Sequence, residues 1–217
     1  MACDDYQTRM RWRRGFTLVE LLAVMAVMGI LLAAGARMRG GAGERRTACD
    51  ILSGMVGQAR SMAISRRRTV VLALAGPGDL ASGDGRCRAG LFVVDQLGRN
   101  GGASNAKMVG RWEVIPAGVV LLGGGDGGIR NPMDEKPVAL KYVMAGAPVE
   151  ICVHALAFTP RGGLGWPLGS SPMVLRLAEG GYRGGAAVAN ARDGGTVVAE
   201  EKLRIGRVVA RAWRAGG

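Results

Sequence analysis

One apolar run constrains this chain more than anything else in it. From Phe16 to Ala36 the sequence reads FTLVELLAVMAVMGILLAAGA, 21 residues with a single ionisable side chain, Glu20. As a helix rising about 1.5 Å per residue it would be roughly 30 Å long, the thickness of a bilayer core. Met1 to Gly15 is polar, with Arg9, Arg11, Arg13 and Arg14 crowded against the apolar boundary. Basic flanks of this kind hold the N-terminal side in the cytoplasm. The expectation is a single-pass chain of the bacterial inner membrane, N-terminus cytoplasmic and C-terminal domain periplasmic. A carboxylate in hydrocarbon costs roughly 3 kcal/mol or more, so Glu20 reads as a functional group that needs a partner. An ordinary secretory signal, with Leu21 to Leu32 as its apolar core and Ala34-Gly35-Ala36 as its cleavage site, would leave Glu20 and the Gly15-Phe16 junction unexplained.

Gly35, Gly40, Gly41 and Gly43 then weaken the helix, each by up to about 1 kcal/mol relative to alanine. The helical period returns with Ala48, Ile51, Leu52, Met55, Val56, Ala59, Met62 and Ala63 on one stripe, an amphipathic helix expected to lie on a sheet. Beyond Arg68 short apolar runs alternate with glycine, asparagine and proline, as in antiparallel strands. Strands are expected near 69–75, 90–95, 109–115, 119–122, 138–144, 149–158, 173–177, 196–200 and 204–212. Residues 123–137 and 179–195 read as long surface loops. The fold class is therefore α+β: a long N-terminal helix, transmembrane and then amphipathic, packed on one antiparallel β domain.

The 217 residues carry a net charge of +12. Removing residues 1–15 takes away four Arg and two Asp, which leaves +10. The excess clusters at Arg66-Arg67-Arg68 and near the end, at Lys202, Arg204, Arg207, Arg211 and Arg214, a balance that suits nucleic acid, an anionic surface or simple solvation. Cys49, Cys87 and Cys152 follow the apolar run; an external compartment permits one disulfide, with Cys87–Cys152 favoured because both sit at or beside strands, although other pairings and three thiols stay open. No C-x-x-C metal spacing occurs.

Other chemistry is thin. Gly123 to Gly128 satisfies G-x-G-x-x-G, but Ile129-Arg130-Asn131-Pro132 does not open the helix a dinucleotide site requires. Asp126 and Asp134 supply too few oxygens for calcium. The one histidine, His154, lies mid-strand, and no nucleophile or paired-carboxylate spacing accompanies it. The chain does not read as an enzyme and implies no cofactor or metal.

Arg13-Arg14-Gly15-Phe16-Thr17-Leu18-Val19-Glu20-Leu21-Leu22 resembles the class III signal of type IV pilins and of the pseudopilins of type II secretion. The resemblance implies that a prepilin peptidase cuts after Gly15 and that the new N-terminal Phe16 is N-methylated. Glu20, then the fifth residue, would pair with the amine of a neighbouring subunit's Phe16 and set the register of assembly. The chain divides on this view into leader 1–15, transmembrane helix 16–36, amphipathic continuation 37–68 and β-rich domain 69–217.

Later segments resemble the GspH/FimT family of minor pseudopilins and pilins. These are Ala59-Arg60-Ser61-Met62-Ala63-Ile64 leading into Val70-Val71-Leu72, Gly90 to Gly98, Phe158-Thr159-Pro160-Arg161-Gly162, and Gly206-Arg207-Val208. The resemblance implies a minor pseudopilin of type II secretion, partnered by prepilin peptidase, other major and minor pseudopilins or pilins, and an inner-membrane assembly platform. The alternative it implies is a FimT-like type IV minor pilin that binds DNA through basic residues near a C-terminal G-R-x-R. Gly206-Arg207 matches the start of that motif, while Val209 stands where its second arginine would be. Arg207 and Arg211 would share a strand face, with Arg214 beyond.

Overall fold

The computed structural model describes residues 18–38, 42–80, 84–98, 100–144, 146–191 and 199–215. The chain divides into two compact units, Met1–Gly40 and Gly41–Gly217. In the first, helix α1 spans Leu18–Met38 with Glu20 in its first turn. The expected membrane crossing is not met: among the described residues no helix is long and apolar enough to span a bilayer. The single-pass inner-membrane topology inferred from the apolar run is corrected on this finding.

The second unit begins with α2, Ala42–Arg66. Arg45, Ala48, Cys49, Leu52, Met55, Val56, Ala59 and Ala63 are buried, at the three- and four-residue steps that keep one helix face on a core. Arg66 sits in the last turn, where the helix dipole favours a cation, and Arg67 adopts a left-handed φ of 51° that ends the helix.

Two sheets follow. The larger contains β1 (Thr69–Ala75), β2 (Arg88–Val94), β3 (Gln96–Leu97), β4 (Gly102–Ser104) and β5 (Lys107–Val114), with β7 (Val138–Met144), β8 (Ala147–Phe158) and β9 (Leu164–Trp166). Its order is β3-β4-β7-β8-β1-β2-β5, with β9 also on β8, and β4 runs parallel to β7. The smaller sheet has the order β11-β10-β12-β13, with β6 on β10: β6 is Val119–Leu122, β10 Met173–Arg183, β11 Ala186–Ala189, β12 Glu200–Ile205 and β13 Ala212–Ala215.

Alternation along β1 explains its unbroken apolar run. Val70, Leu72 and Leu74 join α2 and the smaller sheet's Leu175, Leu177, Leu203 and Ile205 in one core. Val71, Ala73 and Ala75 face a second core with Phe92, Leu140 and Val153. A strand buried on both faces needs no polar positions. The second core exists because the sheet curls: between β4 and β5 the chain passes from the β7 side to the β2 side, and the Ala106 N–H donates to Lys141 O at 3.0 Å. Inside the curl the Phe92 ring meets Trp112 and Tyr142 edge to face, centroids 5.5 and 5.1 Å away. Gly90 is needed there, since a Cβ would lie 2.8 Å from the Trp112 indole.

The strands expected at 69–75, 119–122 and 138–144 form as β1, β6 and β7. Two expectations fail. Of residues 179–195, read as loop, 179–183 continue β10 and 186–189 form β11, and the strand expected over 204–212 breaks: β12 ends at Ile205, a turn takes Arg207–Val209, and β13 begins at Ala212. Of the strand expected at 196–200, residues 196–198 lie outside the described residues; β12 starts at Glu200.

Candidate functional site

Two features are available for function: helix α1, and the corner of the second unit where α2 ends. Gly15 and Phe16, the expected processing site, lie outside the described residues. Glu20 stands in the first turn of α1, where a carboxylate is favoured by the helix dipole. From Leu18 to Ile30 every large apolar side chain of α1 is at least 47% exposed. Leucine, valine, methionine and isoleucine therefore project on all sides of the helix.

At the α2 corner, segments far apart in sequence meet. Phe158 closes β8, and the Thr159–Gly162 turn after it is fixed by the Gly162 N–H donating to Thr159 O at 2.8 Å. Gly162 has φ +81°, and a Cβ there would lie 2.9 Å from Ile64 Cδ1 and 3.3 Å from Arg60 Nε of α2. Next to it the Leu164 N–H donates to Arg207 O at 2.9 Å. Across the α2–β1 turn Arg68 Nη1 reaches Asp95 Oδ1 at 2.5 Å, and Asn105 Nδ2 donates to the other carboxylate oxygen at 3.3 Å. Packing at this corner thus accounts for the helix end, the Pro-Arg-Gly turn, Asp95 and the Gly-Arg-Val segment together.

The C-terminal arginines do not form the expected stripe. Arg207 lies in the turn, half-buried, and donates through Nη2 to Pro167 O. Burial, with Arg130 nearby, pushes its guanidinium pKa down. Arg211 is exposed just before β13. Arg214, on β13, is directed at α2, donating to Asp50 Oδ1 at 2.6 Å and Arg46 O at 3.0 Å. The break at Arg207–Val209 destroys the alternation that would have put Arg207 and Arg211 on one face.

The expected Cys87–Cys152 disulfide is absent: Cys49, Cys87 and Cys152 are free thiols. Cys87 is buried against Tyr182 Oη, while Cys152 is exposed on β8, so the two sulfurs sit in different surroundings. Burial raises the Cys87 thiol and the Tyr182 phenol above their ordinary values. The phenol oxygen also accepts the Leu121 N–H at 3.1 Å, which ties β10 to β6. His154 Nδ1 contacts Glu135 O at 3.1 Å, a structural role.

The Gly123–Gly128 loop holds a network that sequence reasoning missed. Asp126 is met by Lys202 Nζ at 2.9 Å and Arg204 Nη2 at 3.0 Å. Asp134 accepts the Gly124 N–H at 2.8 and 2.9 Å. Arg176 pairs with Glu200 at 2.7 Å and reaches Gly123 O at 3.1 Å. Buried Asn131 donates to Leu122 O at 2.7 Å and Gly124 O at 3.0 Å. Of the oxygens weighed for calcium, protein cations thus occupy those of Asp126 and a backbone amide those of Asp134, and among the described residues no group of three His, Cys, Asp or Glu is placed to hold a metal. Alternate positions Lys202 and Arg204 on β12 were the available signal, visible only once β12 was known to start at Glu200.

The Lys202 and Arg204 bonds hold the Asp126 carboxyl below its ordinary range, and the Arg176 bond does the same for Glu200. Depressed folded-state pKa values contribute stability above the unfolded values, lost as pH falls through the folded ones. Protection of the Ile129 amide, which donates to Asp126 O at 2.9 Å, should therefore fall below about pH 4. In Asp126→Asn it should be roughly two- to fivefold lower already at pH 7. Hydrogen exchange corrected for intrinsic rates measures both, and unchanged protection in the variant would exclude the clamp.

Comparison with known proteins adds the following. Residues 10–36 match the prokaryotic N-terminal methylation motif. No curated protein matches the sequence significantly. The crystal structure of the type IV minor pilin FimU of Pseudomonas aeruginosa is similar at 18% identity and a TM-score of 0.37, over 80% of this chain and 90% of that one. At that distance the likeness decides nothing further about this chain. The methylation motif covers Gly15, Phe16, Glu20 and the start of α1, and it is in this N-terminal segment that the chain is similar to type IV pilin-like proteins, pilins and pseudopilins alike.

Proposed function

We propose that this chain is a minor pseudopilin of a type II secretion system, a structural subunit of the pseudopilus that drives protein export across the outer membrane. The observation that carries the reading is α1: a helix with exposed apolar side chains on every side and one carboxylate in its first turn, within the methylation motif. A helix that is apolar all round belongs in an interior. Helices of neighbouring subunits supply one, and Glu20 pairing with the N-terminal amine of a neighbour's Phe16 would fix how they stack. The partners on this reading are a prepilin peptidase, other major and minor pseudopilins, and the platform that assembles them.

The alternative, a FimT-like minor pilin that takes up DNA through Arg207, Arg211 and Arg214, has less support. Two of the three arginines are engaged within the fold, by Pro167 and by Asp50.

The test of processing is direct. Coexpression with a prepilin peptidase should shorten the chain by the residues Met1 to Gly15 and leave a methylated Phe16, both read by mass spectrometry. Gly15→Val should block the change. Cleavage after Ala36 instead would sink the pilin-like reading.

A further inference from the structure

Two depressions on the larger sheet meet at Asn105, which lines both. The first, about 540 Å³, is bounded by Arg66, Arg68, Val93, Asp95, Asn105 and Lys107. The second, about 470 Å³, is walled by Tyr142, Val143, Pro148 and Val149, with Lys141 and Glu150 at its rim. Both fall within the size range of ligand clefts. Asn105 turns the chain between β4 and β5 at φ 51°, beside the Ala106–Lys141 hydrogen bond where the sheet curls.

The two ends differ in charge. Three cations against one carboxylate leave the first end at +2, and Arg67 stands exposed beside it. Asp95 is already taken by Arg68 and Asn105; Arg66, Arg67 and Lys107 make no ion pair among the described residues. At the second end Lys141 and Glu150 face each other at 3.4 Å and cancel, leaving an apolar wall. Val143 and Met144 continue that wall outward, 69% and 54% exposed.

We infer that this bipartite groove docks an extended peptide segment of a partner protein, apolar over one half and acidic over the other. Guanidinium forks and a lysine at one end match carboxylates. The uncharged apolar wall at the other matches aliphatic side chains. A nucleic-acid backbone fits only the first half: along the second its phosphates find only Lys141, already paired with Glu150, and no aromatic ring lines the cationic end to stack a base. The inference does not depend on how α1 assembles.

A fluorescein-labelled octapeptide, Val-Ile-Val-Ile-Asp-Glu-Asp-Glu, and the same blocks in reverse order test it against the purified full chain by fluorescence anisotropy. One block order should bind saturably, and more weakly as salt rises from 50 to 500 mM. The double variant Arg66→Ala/Lys107→Ala should weaken it roughly tenfold or more, and Val143→Glu should weaken it too. Arg211→Ala should have no effect. All the substituted side chains are exposed, and circular dichroism checks their folds. Equal binding of a peptide that interleaves the same residues, unchanged affinity in the double variant, or tighter binding of a 20-base-pair duplex than of the peptide would each overturn the inference.

Discussion

Replacing Glu20 with leucine is expected to leave removal of Met1 to Gly15 intact and to abolish incorporation of the subunit into a filament. The argument runs through the fate of two charges. On the proposed function, processing would create a free amine on Phe16, four residues ahead of Glu20, and packing α1 among apolar neighbours would take that amine out of water. Paired with a carboxylate of an adjacent subunit, the amine is neutralised. Removing one partner of a buried pair costs about 3 to 5 kcal/mol, because the other charge stays buried and alone. In equilibrium terms that is roughly a hundredfold to several-thousandfold loss of incorporation. Glu20→Gln, which keeps a hydrogen-bond acceptor but no charge, should fall between. The measurement is the ratio of subunit in sheared filaments to subunit in cells, with processing followed on the same samples. Incorporation of Glu20→Leu at the normal ratio would remove the registering role from Glu20, whatever became of the cleavage site.

The second large effect concerns stability. Phe92→Ala is expected to destabilise the second unit by about 3 to 5 kcal/mol. Phe92 is fully buried, and its ring is the shared neighbour of Trp112 on β5 and Tyr142 on β7. Those strands are not hydrogen-bonded to each other, so side chains rather than a ladder keep the curl closed. The midpoint of thermal unfolding should drop by roughly 6 to 20 °C. Phe92→Leu should cost less by refilling much of the space, and Val208→Ala, at a position 84% exposed, should stay within about 0.5 kcal/mol of the parent. A loss below about 1 kcal/mol for Phe92→Ala would show that the second core collapses around the missing ring.

Periodicity made much of this fold legible. The α2 stripe and the runs that became β1, β6 and β7 were readable because burial there follows helix or strand geometry alone. Glycine misled at Gly180-Gly181, where a turn was expected. The strand continues because a Cβ on Gly180 would lie 2.1 Å from Val188 O of β11, so the glycine marks close approach of two backbones. The break after Ile205 was hidden for a different reason. Arg207, Val208 and Val209 have strand-like composition, but Ala210 takes a left-handed φ of 46° and Gly206 N–H returns to Arg211 O at 2.9 Å. That tertiary turn has no strong local signal. The methylation motif was plain in sequence, because it is a linear string that needs no tertiary contact to be read. The apolar run, by contrast, promised a membrane helix on length and hydropathy that α1 does not bear out. The groove at Asn105 was invisible, since its two walls come from strands some 35 residues apart and meet only through the curl.

The seating of α2 has a consequence for how the molecule is made. The helix leaves the ribosome early, yet part of its core is supplied by Leu203 and Ile205 of β12, and Arg214 of β13 clips its first half at Asp50. A nascent chain therefore carries an uncovered helix face for most of its synthesis, until residues 200–215 emerge. Any premature stop in the last strands should yield a product whose α2 stays sticky and which the cell's chaperones and proteases remove, so that truncation acts on abundance before it acts on assembly.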